Sequence, residues 1–470
     1  MKELRKFDKV VNLAKTKGFI FPSSEIYGGL NSIYDYGPLG TELKNNLKKS
    51  WFDFMLARRD VVGLDSSILM HPEIWKASGH LDGFSDPLVD CKKCKARFRA
   101  DNLLEKQGIK PTFGKDKAPD MGDMKCPDCG GELTDVRQFN LMFKTFMGPL
   151  EESADQIYMR PETAQGIYVN FLNVMTSMRM KMPFGIAQIG KAFRNEITPG
   201  NFTFRMREFE QMEMQYFVHP DKTKEVFEKW QELRMEWYKD LGINPDNLRF
   251  REHASDELAH YAKRALDIEY NFGFSKNETF KELEGIHHRG DWDLSQHQKY
   301  SKQKLTVKDE EGKEYIPNII ETSGGVDRAT LAFLMDAYTE IEGGRSTTTK
   351  SNKDSEVVLK LDKRLAPIKI AILPLSKKPE LADTSNKVYD MLVNKYRIQY
   401  DETGSIGKRY RRQDEIGTPY CVTVDFDSLD DKQVTVRDRD TMEQERIAID
   451  ELEAYFQDKF KKNKSFLIYV

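Results

Sequence analysis

At 470 residues, the chain is long enough for two or three domains, because single hydrophobic cores stop growing well below this length. Its 39% hydrophobic and 32% charged content, with no apolar run of membrane-spanning length, fits globular material and excludes both a membrane span and wholesale disorder. With 73 basic against 76 acidic side chains, a net charge of −3, there is no overall attraction for nucleic acid, so contacts to RNA or phosphate must come from local patches.

The opening MKELRKFDKVVNLAKTKGF lacks the apolar segment of a secretory signal, and the expected location is the cytoplasm. Further on, Cys91 and Cys94 form one CxxC pair and Cys126 and Cys129 another, with 31 residues between them. Zinc prefers four tetrahedral thiolates, and each CxxC turn presents two sulfurs while Gly130 and Gly131 allow a tight knuckle. A structural Zn2+ is expected; the alternative is four unligated thiols in a long loop. Cys421, alone in YCVTVDF, reads as a small buried hydrophobe.

RPETAQG (160–166) places Glu162 behind a proline at the entry to a helical stretch, either as a carboxylate complementing the helix dipole or as a site residue. FGIAQIGKAF (184–193) reads as a strand leading into AFRNEITPGNFTFRMREFEQME (192–213), which alternates like a hairpin around Thr-Pro-Gly-Asn. Residues two apart on a strand share a face, so Arg194 pairs in direction with Glu196, and Arg205, Arg207, Phe209, Gln211 and Glu213 point together. Buried unpaired charge is costly, so this face is either a cross-strand salt-bridge ladder or a ligand face for a polyphosphate nucleotide.

Residues 221–310 read as a largely helical insertion, with KEVFEKWQELRMEWYKDL the best amphipathic stretch. IIETSGGVDRATLAFLM (319–335) sets Glu321 and Ser323 on one strand face, then breaks at Gly324-Gly325 into a helix whose first turn carries Arg328. That corner suits an anion, or is simply a strand-to-helix turn with a surface arginine. Residues 342–365, rich in Gly, Ser, Thr and Lys, read as a linker, and an alternation of strands and helices follows over 366–470. KRYRR (408–412) is a local basic run, a solvated face or an RNA contact.

FRNE with FRMREF resembles motif 2 of the class II aminoacyl-tRNA synthetases, and GGVDR resembles their motif 3. YDYGPLGTELKNNLKKSW (34–51) is similar to the motif 1 region of one branch, the homodimeric glycyl-tRNA synthetases of bacteria and eukaryotes. RPETAQG, HHRGDWDL (287–294) and GSIGKRYRRQDEIGTP (404–419) resemble the same branch, with Gly290 standing where its members more often have threonine. Several blocks in the right order over nearly the whole chain are far more specific than one motif.

The resemblance implies an α+β fold, in which a class II antiparallel-sheet catalytic domain with a zinc-knuckle insertion precedes a smaller α/β anticodon-binding domain. The corresponding boundaries are 1–85 for the first catalytic part including motif 1, 86–140 for the insertion, 141–341 for the catalytic core, 342–365 for the linker and 366–470 for the anticodon-binding domain. The implied substrates are glycine, ATP with Mg2+, and tRNA(Gly); the implied assembly is a homodimer without membrane contact. Arg194 and Arg328 are the implied catalytic residues. Arg194 would hold the amino-acid carboxylate and α-phosphate, Arg205 and Arg328 the γ-phosphate, while Phe209 stacks on adenine and Glu196 meets its amino group. Asn195, Phe204, Arg207, Glu282, Leu283, Gly325 and Asp327 complete the implied nucleotide set. Glu162, Glu213 and Glu321, with Ser323, would receive the glycine ammonium, and Arg99 would reach the substrate or the acceptor stem. Three carboxylates around an empty ammonium site are expected to raise one another's pKa values. The basic segments KKCKARFR and GKRYRR are expected to touch RNA phosphates, and no editing segment is expected, since a packed wall suffices against any larger amino acid. Two other readings remain open on sequence: a synthetase-like fold kept as an accessory subunit, and a synthetase for another small amino acid.

Overall fold

The alternation visible at 184–193, 208–218 and 318–325 becomes the middle of a seven-stranded sheet in the computed structural model, which describes residues 4–109, 121–148, 155–259, 261–275, 279–343, 345 and 355–461. The strands are β1 (Val61–Gly63), β2 (Phe184–Phe193), β3 (Glu208–Val218), β4 (Leu248–Glu252), β5 (Arg264–Asn271), β6 (Phe280–Gly290) and β7 (Asn318–Gly325). Their spatial order is β4-β5-β6-β7-β3-β2-β1, antiparallel throughout except for the parallel β1–β2 pair. Among the helices packed on it are α1 (Pro38–Leu56), α2 (Ala164–Val169), α3 (Thr223–Asp240) and α4 (Val326–Ala337).

Side chains alternate between the two faces of a strand, and here the faces have different tasks. Met212, Met214, Tyr216 and Ile320 pack against Leu43, Leu47 and Trp51 of α1, Trp230 and Trp237 of α3, and Leu331 and Leu334 of α4. On the opposite face, Phe217 and Ile319 pack with Ile167 of α2 and Phe171, while Gln211, Glu213, Gln215, Glu321 and Ser323 form a polar strip beside them. A buried polar strip on a sheet must be fully paired or must serve a ligand.

Two expectations change. Within 221–310, helix covers Thr223–Asp240 and Trp292–Ser301, but 248–290 supplies three strands of the central sheet. The charges of β5 and β6 disguised them: Asp267, Glu269, Glu284 and His287 break the apolar pattern of a buried strand. The charged hairpin is also different, since β2 ends at Phe193 and β3 begins at Glu208. Arg194, Glu196, Arg205 and Arg207 therefore lie in the connecting loop and not on strand faces. Asn201 and Phe202 in that loop adopt left-handed backbone (φ 55° and 57°), and buried Phe202 packs edge-on against Tyr34 at 4.9 Å.

The insertion is a small three-stranded sheet in which Ser85–Asp90 pairs with Arg97–Arg99 and Arg137–Asn140. The expected linker is partly folded, because Ser355–Leu359 pairs with Tyr338–Glu342; residues 344 and 346–354 lie outside the described residues. Beyond it come β8 (Ile370–Pro374), α5 (Pro379–Leu392), β9 (Ile398–Tyr400), α6 (Ile406–Ile416), β10 (Tyr420–Val424), β11 (Gln433–Asp438), β12 (Gln444–Ala448) and α7 (Leu452–Lys459). They build a mixed sheet of order β9-β8-β10-β11-β12 over a core that includes Ile370, Val388, Val422 and Phe456. No helix among the described residues is long and apolar enough to cross a membrane.

Candidate active site

The polar strip floors a cavity of about 300 Å³, bordered by the 194–207 loop on one side and the start of α4 on the other. Antiparallel register brings its residues together: Glu213 on β3 lies opposite Ser323 on β7, and Glu321 lies opposite Gln215 on one side and His287 of β6 on the other.

One end is a buried carboxylate cluster. Glu213 accepts from Thr163 Oγ1 (2.6 Å), Ser323 Oγ (2.7 Å) and Gln211 Nε2 (3.0 Å). Glu321 accepts from Gln215 Nε2 (2.7 Å), pairs with His287 Nδ1 (2.7 Å) and meets the Arg289 guanidinium at 3.2 Å. Glu162, on the turn before α2, accepts from Gln165 Nε2 (2.9 Å) and faces His80 Nε2 at 3.5 Å. Arg289 is itself clamped by Asp293, at 2.8 and 3.0 Å, and stacked 3.9 Å from the Tyr261 ring.

The expectation that all three carboxyls would be raised holds for one. Burial, and then the negative charges of Glu321 and Glu162, push Glu213 up to about 7. Burial acts the same way on Glu321, but Arg289 and His287 outweigh it and hold it down at about 2. His80 and Arg289 likewise overcome burial at Glu162 and keep it well below the usual carboxylate range. Partners supplied by distant segments, the Arg289 guanidinium and the rings of His287 and His80, thus outweigh burial and mutual repulsion at two of the three positions.

The other end is cationic and more open. Arg194 donates Nε to the Pro161 carbonyl (3.0 Å), and its guanidinium lies 5.4 Å from both the Phe84 and Phe209 rings. Arg205 pairs with Glu196 at 3.1 Å. Arg328 stacks 4.3 Å from the Phe204 ring and reaches Glu282 at 3.2 Å. Glu282 faces the cavity because a register shift on β6 between its partners Ile268 and Glu269 reverses the alternation there.

Glu162, Arg194, Glu196, Phe204, Arg205, Phe209, Glu213, Glu282, Glu321, Ser323, Gly325, Asp327 and Arg328 all line this one cavity. Several expected residues do not. Leu283, turned away by the same bulge, is buried in the core at 1% exposure. Arg99 is held by Asp86 (2.9 Å) and Asp101 (2.5 Å) and does not border the cavity. Asn195 joins its backbone N–H to the Leu141 carbonyl, and Arg207 braces the loop by donating to the carbonyls of Asn31 and Glu196. The Asp327 carboxylate is occupied by Tyr36, Lys44 and the Glu210 N–H, which ties α4 to the motif 1 segment. Lining residues that sequence reasoning missed are Thr203, Met206, Tyr261, His287 and Arg289, while Gln211 lines the cavity from the face on which strand alternation puts it. HHRGDWDL carries two of them, and the alternation of β3 carries Gln211 beside Glu213. The Oε1 of Gln211 is buried without a hydrogen-bond partner among the described residues.

The basic run of α6 is mostly internal structure. Arg409 donates to the Pro374 and Gly404 carbonyls, Arg411 meets Glu356 (3.3 Å) and Arg412 meets Asp401 (2.5 Å), which leaves Lys408 exposed and the paired Arg412 partly so. In the insertion, the four sulfurs of Cys91, Cys94, Cys126 and Cys129 lie within 4.8 Å of one another, with Cys91–Cys129 at 3.5 Å and Cys94–Cys126 at 3.6 Å. Four thiolates placed tetrahedrally about 2.3 Å from zinc stand about 3.8 Å apart, so the donor set and spacing fit this ion. A Cβ on Gly131 would stand 3.1 Å from Cys91 Sγ and 2.7 Å from Lys93 Cβ, which explains the bare residue there.

The antiparallel sheet, the mixed cavity and the separate α/β domain define a class II tRNA synthetase: the sequence model of the tRNA synthetase class II core domain (G, H, P, S and T) matches residues 143–338, and that of an anticodon binding domain matches 369–459. A solved prolyl-tRNA synthetase from Cryptosporidium parvum shares the fold at a TM-score of 0.62 and 15% identity, over 98% of this chain and 77% of that one. The chain is 53% identical to the glycine–tRNA ligase of Acetivibrio thermocellus over 98% of its own length and 100% of that protein's. It is 54% identical to that of Geobacillus kaustophilus (96% of this chain, 98% of the relative) and 51% identical to that of Thermobifida fusca (96% and 97%). The chain belongs to the glycine–tRNA ligase family.

Proposed function

We propose that the protein joins glycine to ATP, forming glycyl-adenylate and pyrophosphate, and then passes glycine to the 3′-terminal ribose of tRNA(Gly). The observation that carries this reading is the convergence of three buried carboxylates, Glu162, Glu213 and Glu321, at one end of a cavity whose other end carries Arg194, Arg205 and Arg328. An amino acid without a side chain offers only its ammonium, its carboxylate and its smallness for recognition, and the carboxylates with Ser323 serve the ammonium. Arg194 holds the glycine carboxylate and the α-phosphate together and balances the charge that develops as the carboxylate oxygen attacks phosphorus in line and pyrophosphate leaves.

Phe209 supports the adenine ring, Glu196 accepts from its exocyclic amine, and Arg205 and Arg328 grip the γ-phosphate. Phe204 and Gly325 border the nucleotide, while Arg207 and Asp327 hold the framework. Half-exposed Glu282, now paired with Arg328, would be the carboxylate placed to share a Mg2+ ion, which would supply positive charge to the triphosphate. The four cysteines hold a structural Zn2+ that shapes the insertion, and the 366–470 domain receives the tRNA anticodon. The working form is a cytoplasmic homodimer.

Glycine-dependent ATP–pyrophosphate exchange tests the reading. Exchange with glycine is the expected result; its absence, or faster exchange with alanine or serine, overturns the proposal.

A further inference from the structure

We propose that His80 is a positioning residue for the amino-acid end of the site: Ser78 sets its tautomer, and His80 in turn fixes the Glu162 carboxylate that receives the substrate ammonium. The inference rests on the glycine-activating function above and adds a group from outside the cavity lining.

Of the three carboxylates, Glu162 is the one without a sheet to hold it. Glu213 and Glu321 lie on β3 and β7, braced by the strands on either side, whereas Glu162 sits on the turn between Arg160 and α2. A glutamate loses considerable rotamer freedom when fixed, so a precise carboxylate at a turn needs partners. It has two. Gln165 donates to one oxygen at 2.9 Å, and the Gln165 amide is itself oriented by His297 (2.8 Å) at its Oε1. The second oxygen faces His80 Nε2 at 3.5 Å, the long end of hydrogen-bond reach, as is common for site contacts before the substrate is bound.

The His80 ring is mounted for this task. It lies edge-on to Trp75 (5.6 Å, 79°) and tilted against Phe84 (5.3 Å, 57°), while Asn140 Nδ2 donates to the His80 and Leu81 carbonyls at 3.1 Å each. Its Nδ1 lies 2.7 Å from the hydroxyl of buried Ser78. The Ser78 hydroxyl has the Trp75 carbonyl as a second acceptor at 3.4 Å, but the 2.7 Å contact to Nδ1 is much the shorter; with the hydroxyl donating there, the neutral ring keeps its proton on Nε2 and points an N–H at Glu162. The opposite tautomer would aim a lone pair at a carboxylate, which is repulsive. Phe84, on the far side of the ring, lies 5.4 Å from the Arg194 guanidinium, so the 72–84 segment borders the group that joins the two ends of the cavity.

The test is ATP–pyrophosphate exchange by the full-length protein carrying His80→Leu, His80→Gln or Ser78→Ala, with KM for glycine and for ATP measured separately. Loss of a hydrogen bond to a charged group predicts a glycine KM raised about 10- to 100-fold in His80→Leu, with the ATP KM within about twofold of wild type. His80→Gln keeps an N–H donor and is expected within about fivefold of wild type for glycine, and Ser78→Ala, which removes the contact to Nδ1 together with the longer one to the Trp75 carbonyl, at about threefold. If His80→Leu fails to fold, the other two variants decide. An unmoved glycine KM in Ser78→Ala, an equal rise for ATP and glycine, or no recovery in His80→Gln assigns the ring to packing and overturns the proposal. Wild-type protein run alongside separates the two claims: if it does not respond to glycine, the functional reading has failed, not the role of His80.

Discussion

At the amino-acid end of the cavity the Glu321 side chain is 4% exposed and is met by His287, Gln215 and Arg289, while at the nucleotide end Arg205 is 39% exposed and Glu282 52%. The first region is preorganised, because a buried charge without partners is too costly to await its substrate. The second can leave its arginines in water and exchange solvent and a weak ion pair for phosphate when the nucleotide arrives. On the proposed function, specificity for the small substrate is built into the folded chain, and the grip on the large one is completed on binding.

Arg194→Ala removes the group shared by both ends, and the largest effect is expected there: glycine-dependent exchange falls about 10³-fold or more with thermal unfolding unchanged. A near-normal rate would show that the loop is structural. Separating the ends comes next. Glu321→Gln should raise the glycine KM about 100-fold and lower the melting temperature, because it removes the negative charge that buried Arg289 and half-buried His287 share, and leave the ATP KM within about twofold. Arg205→Ala should do the reverse, raising the ATP KM about tenfold without touching glycine KM, with a small loss of stability from the buried Glu196 carboxylate it leaves unpaired. If the two variants shift both constants equally, the contrast fails.

A pH series gives a smaller, sharper contrast. With Glu213 pushed up to about 7, glycine KM should rise as pH falls through that value, since a neutral carboxyl no longer attracts the ammonium, and ATP KM should not follow. Stability moves oppositely. A carboxyl raised above its ordinary 4.5 contributes stability that is complete below 4.5 and is lost as pH rises toward about 7, so Glu213→Gln should flatten the melting-temperature profile over that window. The smallest catalytic effect is expected at the insertion, whose cysteines border neither end. Cys94→Ser should reduce bound zinc from about one per chain to well below it and lower the insertion's protease resistance, with both KM values within about fivefold of wild type.

Local chemistry made much of this legible in the sequence. Glu162, Arg194, Phe209, Glu321 and Arg328 stand in short blocks that residue types alone leave between structural and functional readings and that several blocks in family order resolve, while the four cysteines announce themselves by spacing. The apolar strands and amphipathic helices after Ala366 were readable because one face of each is buried, which imposes a period on the sequence. Where a strand face lines the site that period disappears, and β5 and β6 were therefore hidden behind their own charges. Pairing across long separations was equally invisible: Arg289 and His80 set the ionisation of carboxylates far away in the chain, Asp86 and Asp101 withdraw Arg99 from the substrate, and Glu356 and Asp401 occupy arginines of KRYRR that look available to RNA. The sequence by itself determined which groups the chemistry can draw on. Only the tertiary structure decided which of them are charged, which are already paired and which face the cavity, because desolvation and Coulomb energy depend on distance in space and not on distance along the chain.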